Sequence, residues 1–164
     1  MVSKPKERDV GIGEVRVSHN PEVLRIVGLG SCVAVALYDP IARVGGLAHV
    51  MLPRRRVSIF CDANGGVDGR FAEDAVRLLL DEMLKAGAEK GRVVAKVAGG
   101  ACMFPETMTV SIGEENVRAV KEALRNMGVR LIAEDTGGNH GRTVILDTCT
   151  GKMTVKTMHG DKIL

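Results

Sequence analysis

Val23-Leu24-Arg25-Ile26-Val27-Gly28-Leu29-Gly30-Ser31-Cys32-Val33-Ala34-Val35-Ala36-Leu37-Tyr38-Asp39-Pro40 holds two apolar runs separated by a glycine-rich turn. Val23 to Leu29 and Val33 to Tyr38 are rich in β-branched residues, which predicts two buried strands. Asp39-Pro40 turns the chain. Val44 to Met51 then returns as a third apolar strand, inside Gly45-Gly46-Leu47-Ala48-His49-Val50-Met51-Leu52-Pro53. Cys32 therefore lies on the turn, and His49, seventeen residues later, on a neighbouring part of the same sheet. A thiol beside an imidazole is the minimal apparatus for attacking an amide or ester carbonyl.

Working outward, Val10 to Val17 alternates weakly and reads as a first strand, followed by a turn at Asn20-Pro21. Phe71 to Ala86 places Phe71, Ala75, Leu78, Leu79 and Met83 on one helical face, and Gly87 closes it. Glu114 to Met127 aligns Val117, Val120, Leu124 and Met127. Glu114 and Glu115 suit its positive end, and Gly128 its finish. Further strands are expected at Val93 to Val97, Met108 to Ile112, Val129 to Ala133, Thr143 to Leu146 and Met153 to Thr157. The sum is an α/β layered sandwich with a mixed, largely antiparallel sheet and two main helices. Residues 1–9 read as a flexible, charged lead-in, and residues 10–164 as a single domain. Pro53 to Gly69 has no clear element. Its apolar middle, Val57-Ser58-Ile59-Phe60, suits a loop that packs on the body or covers a site.

At 164 residues with 45% apolar content, the chain is long enough for one core. Aromatics make up only 2%, so the core is aliphatic and recognition of nucleic acid by base stacking is not expected. A net charge of +3 does not demand a polyanionic partner. Arg54-Arg55-Arg56 is the one basic cluster, read as either a solvated loop or a docking patch for an acidic surface. The four cysteines (Cys32, Cys61, Cys102, Cys149) form no CxxC pair, so a zinc ribbon or thioredoxin-type motif is not supported. No apolar run is long enough to span a bilayer. The charged start lacks a signal-peptide core, so a reducing cytoplasm and no membrane insertion are expected.

A buried cysteine is most often just a small apolar residue. Gly28 and Gly30 change the context of Cys32, because they allow tight backbone geometry and close substrate approach. Amides around Gly30, Ser31 and Cys32 can also face a developing oxyanion. A lone histidine on an apolar strand is often a hydrogen-bonded core residue. For His49, Gly45 and Gly46 just before it imply that another backbone comes close. Gly28-Leu29-Gly30 lacks both the GxGxxG and the GK[ST] patterns of nucleotide sites. Cys32 and His49 alone are too few for a metal site. Two more segments, Ala98 to Phe104 with Gly99 and Gly100, and Glu134 to Asn139, are either tight turns or walls of a cleft near Cys32.

GLGSC, GGLAHVMLP, AGGACMF, IGxxNV (Ile112 to Val117) and AEDTGGNxGR, in this order, resemble the CheD family of chemoreceptor glutamine deamidases over residues 10 to 158. The resemblance implies an α/β sandwich related to the catalytic domain of the cytotoxic necrotizing factor toxins. It implies hydrolysis of glutamine side-chain amides on chemoreceptor (methyl-accepting chemotaxis protein) signalling helices, without cofactor or metal. It also implies a CheC-type phosphatase as partner. Cys32 matches the family nucleophile and His49 its general base. The family's third residue is a threonine six positions before the cysteine, where this chain has Ile26. An isoleucine offers no hydroxyl, so the expectation is that the Ile26 backbone carbonyl orients the imidazole. Gly30, Ser31, Gly99 and Gly100 are expected around the oxyanion and cleft. The rival from another class is a weakly catalytic or non-catalytic module regulating a CheC-type phosphatase, a reading Ile26 favours. A peptidase or transglutaminase is more distant.

Overall fold

The computed structural model describes residues 3–19, 21–55, 66–104 and 111–164. Its strands divide between two five-stranded sheets. One consists of β1 (Lys6–Asp9), β3 (Glu22–Leu29), β8 (Arg142–Asp147), β9 (Met153–Thr157) and β10 (Gly160–Ile163), in that spatial order. The other runs β2 (Val15–Ser18), β5 (Val44–Val50), β4 (Val33–Asp39), β6 (Val94–Gly99) and β7 (Arg130–Thr136). Among the described strands only β1/β3 and β6/β7 pair in parallel, so the largely antiparallel, mixed expectation holds. The helices α1 (Ala72–Lys85) and α2 (Ile112–Asn126) cover the outer face of the second sheet.

The layering follows from the alternation of β4 and β5. Val33, Val35 and Leu37 face the helices, packing with Val76, Leu79, Met83, Val120 and Leu124. Ala34 and Ala36 face the other sheet, packing with Leu24, Ile26, Val144, Leu146 and Val155. Both strands are thus buried on both faces, which is why their sequence is almost continuously apolar. Gly45 and Gly46 mark the close approaches. A Cβ at Gly45 would meet Thr148 Cα at 3.1 Å, and one at Gly46 would meet Leu79 Cδ1 at 2.7 Å. Asp39 is fully buried at the end of β4, where it accepts N–H bonds from Ile41, Ala42 and Glu89 and from the Arg92 guanidinium. Burial pushes its carboxyl up, but these donors outweigh that and hold it well below the usual carboxylate range.

Three expectations need correction. Lys6–Asp9 is not a flexible lead-in but an edge strand paired with Glu22–Arg25, held by the Arg25–Asp9 and Arg8–Glu22 ion pairs. The expected strand at Met108 to Ile112 falls mostly outside the described residues, and at its end Ile112 opens α2. Ser111 caps that helix, its side chain accepting from the Glu114 N–H; this Ser-x-x-Glu pattern outranks the β-branched character nearby. Finally, β10 closes the sheet edge against β9, where no strand was expected. In the long loop, Arg54 pairs with Glu122 and Arg55 with Asp74, so both arginines brace the helices. Arg56, residues 57–60 and Cys61 lie outside the described residues.

Candidate active site

The turn from β3 to β4 carries the chain from one sheet to the other, and Cys32 sits where it enters the second sheet. Its side chain packs against the inter-sheet layer, with Ala34 and Ala36. His49 is opposite Ala34 in the β4/β5 register. With β5 alternating, His49 shares the inter-sheet face with Leu47, while Val50 and Ala48 face the helices. Cys32 and His49 are therefore diagonal neighbours on one face, a relation that spans about 7–8 Å between Cα positions and less between side chains.

His49 is cradled by residues 10–14. Its N–H donates to Glu14 O at 3.1 Å, its carbonyl accepts from Gly13 N at 2.9 Å, and its Nδ1 lies 3.2 Å from Val10 O. A carbonyl can only accept, so Nδ1 carries the proton and Nε2 keeps the lone pair. Val10 is itself fixed, its N–H donating to Arg25 O at 2.8 Å. Burial pulls the imidazole below its ordinary value, only partly opposed by the Val10 bond and the Glu14 charge. Burial also pushes the half-buried Cys32 thiol up. Both shifts favour a neutral thiol beside a neutral imidazole at rest.

The carbonyl that orients the imidazole is thus Val10's, not that of Ile26. Ile26 pairs with Val144 in the first sheet, and its side chain is sealed in the inter-sheet core. Sequence alone hid this partner because a main-chain carbonyl carries no side-chain signature.

The turn that carries Cys32 is pinned from the other side. Gly30 O accepts from Ala101 N at 3.0 Å, Ser31 O from Asn116 Nδ2 at 3.0 Å and Cys32 O from Gly100 N at 2.9 Å. Topology explains the meeting. α2 is the crossover between the parallel strands β6 and β7, so its first turn returns to the end of β6, at Gly99-Gly100. The contact is backbone on backbone: a Cβ at Gly100 would be 2.7 Å from Gly113 O, and one at Gly113 would be 2.4 Å from Ala101 O. Gly99 and Gly100, at φ +111° and +68°, adopt conformations that favour glycine. The Gly100 N–H is committed to Cys32 O. A small cavity of about 260 Å³ lies behind it, lined by Gly100, Cys102, Ser111 and Gly138.

Several large apolar side chains on or near the segments that carry Cys32 and His49 are exposed. Val27 precedes the turn that carries Cys32, Met51 follows the His49 strand, and Ile12 lies in the cradle turn. Met103 approaches Gly30, with Phe104 next to it. Among the described residues no group of three or more metal-ligating side chains is present, and no helix is long and apolar enough to cross a membrane.

Residues 51–157 match the family described as CheD chemotactic sensory transduction. A chemoreceptor glutamine deamidase CheD of Thermotoga maritima is 47% identical over 157 residues, covering 94% of each chain. A probable chemoreceptor glutamine deamidase CheD of Caldanaerobacter subterraneus subsp. tengcongensis is 44% identical over 160 residues, covering 94% of this chain and 96% of that one. One from Clostridium botulinum is 45% identical over 156 residues, covering 93% of this chain and 94% of its own. Spans of that length take in residues 32 and 49, which the family match does not reach. Among solved structures, the Bacillus licheniformis hypothetical protein YfiH aligns at a TM-score of 0.41 with 12% identity, over 74% of this chain and 49% of that one.

Proposed function

The chain belongs to the CheD family, and from that premise we propose that it hydrolyses glutamine side-chain amides of chemoreceptors to glutamate, with Cys32 as nucleophile and His49 as general base. The names of its relatives support the reaction and the substrate. The observation that carries the mechanism is the Nδ1 bond from His49 to Val10 O, because it leaves Nε2 unprotonated on the face shared with Cys32.

In the first step Nε2 takes the thiol proton as Sγ bonds to the amide carbon. The N–H groups of the turn at Ser31 and Cys32 receive the oxyanion. The imidazolium then gives its proton to the departing nitrogen, the C–N bond breaks, and ammonia leaves a thioester. Water attacks that carbon while Nε2 takes a proton from it. The C–S bond breaks, the sulfur recovers a proton from His49, and glutamate is released. Water is the only co-reactant.

The exposure of Ile12, Val27, Met51, Met103 and Phe104, on or next to the segments that carry the pair, fits a macromolecular substrate. The same reading takes a CheC-type phosphatase as partner and the cytoplasm as compartment. Against the rival of a non-catalytic regulatory module, the feature that favoured it loses its force: with the Val10 carbonyl holding the imidazole, a hydroxyl at Ile26 is not required for that task.

The test uses purified receptor fragment and mass spectrometry of its glutamines. The wild-type chain is expected to convert amide to acid, and Cys32→Ala to convert none while remaining folded. Conversion by Cys32→Ala would sink the mechanism. Cleaved fragments would indicate a peptidase, and tight CheC binding without conversion a regulatory module.

A further inference from the structure

We propose that Asn116 is a positioning residue that sets the oxyanion-binding N–H of Cys32 and ties the nucleophile turn to the base strand. Asn116 is fully buried on the first turns of α2, on the stripe it shares with Gly113 and Val120. Its Nδ2 donates to Ser31 O at 3.0 Å and to Met51 O at 3.0 Å. Those carbonyls belong to the residue before Cys32 and to the residue two after His49. One amide group therefore cross-links both chemical segments through a third element.

The geometry reaches the chemistry through the planarity of the peptide. Ser31 C=O and Cys32 N–H share one trans peptide unit and point in opposite directions. Fixing the carbonyl on α2 thus aims the Cys32 N–H away from the helix. The neighbouring carbonyls are held by main-chain donors, Ala101 N and Gly100 N. The central peptide alone depends on a side chain.

The choice of asparagine follows from its donor count. Two N–H groups in one plane can satisfy two carbonyls; serine offers one donor, aspartate none and leucine none. The fold accepts a cost for this, because Asn116 Oδ1 is buried without a hydrogen-bond partner among the described residues. Such an orphan asks for a reason, and the two donated bonds supply it.

This inference rests on Cys32 being the acylated thiol, so the experiment reads the two claims separately. Asn116→Ala and Asn116→Ser are assayed for kcat and KM on receptor fragment, for the rate of Cys32 alkylation by iodoacetamide, and for thermal unfolding. Alkylation forms an S–C bond at a saturated carbon and needs no oxyanion hole. For Asn116→Ala the expectation is a fall in kcat of about 10²–10³-fold, the usual effect of losing one oxyanion donor, with KM and alkylation rate near wild type. Asn116→Ser, which keeps one donor, should fall between. If Asn116→Ala does not fold, the serine variant alone carries the test through its split between kcat and alkylation. Unchanged kcat in folded variants overturns the proposal, as does a fall in kcat matched by an equal fall in alkylation. Activity in Cys32→Ala would instead overturn the nucleophile assignment.

Discussion

Gly99→Ala should damage catalysis by displacing the main chain of Cys32. Gly99 has φ +111°, and an added Cβ would stand 2.4 Å from Cys32 O and 2.7 Å from Leu29 Cδ2. Ordinary contact begins at 3.4 Å. The Cys32 carbonyl must therefore retreat by about 1 Å, and, with Cys32 as the proposed nucleophile, misplacement on that scale can cost on the order of 100-fold in rate. Left-handed strain and overpacking together add about 2–6 kcal/mol of destabilisation. Most of the range of domain stabilities, about 5–15 kcal/mol, absorbs such a loss, and kcat is read on the folded fraction that urea unfolding defines. Gly28→Ala is the control within the same turn. It has φ +74° but no atom within 4 Å of the added Cβ, so it isolates the conformational strain, about 1–2 kcal/mol. Urea unfolding gives the two stabilities, and deamidation of receptor fragment the two values of kcat. If Gly99→Ala matches Gly28→Ala in stability and keeps wild-type kcat, the steric coupling of Gly99 to Cys32 is refuted.

Ile26→Ala should cost about 2–5 kcal/mol in urea unfolding, as expected for emptying a buried site, while the folded fraction keeps its kcat, because Val10 and not Ile26 holds His49. Loss of kcat at full folding would show that this side chain positions the site. The pH profile follows from the direction of the His49 shift. A base must be neutral, and burial depresses this imidazole, so activity should persist as pH falls past the ordinary value of about 6.5 and be lost only through a lower one. Because the unfolded chain binds that proton more readily, stability should also decline as pH drops below about 6.5. An acid limb of kcat/KM at or above the ordinary value would contradict the neutral resting pair.

Much of the scaffold could be read from period and punctuation. The β4 and β5 runs are apolar on both faces because both faces are buried, and that pattern is visible residue by residue. The α1 and α2 stripes and the closing glycines are local signals of the same kind. Errors fell where local and tertiary preferences compete. Charged Lys6–Asp9 gains a strand only because β3 offers it an edge. Ser111-Ile112 reads as β-prone until Glu114 is recognised as part of a cap. Asn116 did leave a trace, as a polar residue on an otherwise apolar helical stripe, but its two partners come from segments 65 and 85 residues away.

The layered α/β class and the family were legible in residue pattern and motif order, and the same pattern put Cys32 and His49 forward as a candidate pair. Only the folded arrangement sets Val10 O against His49 Nδ1, which fixes the imidazole tautomer, and anchors the peptide before Cys32 on Asn116. It alone decided that Gly99 must lack a Cβ against Cys32 O. The physical reason is shared. Each of these relations runs to a main-chain carbonyl, which every residue possesses, so only the folding of distant segments together determines which carbonyl is used.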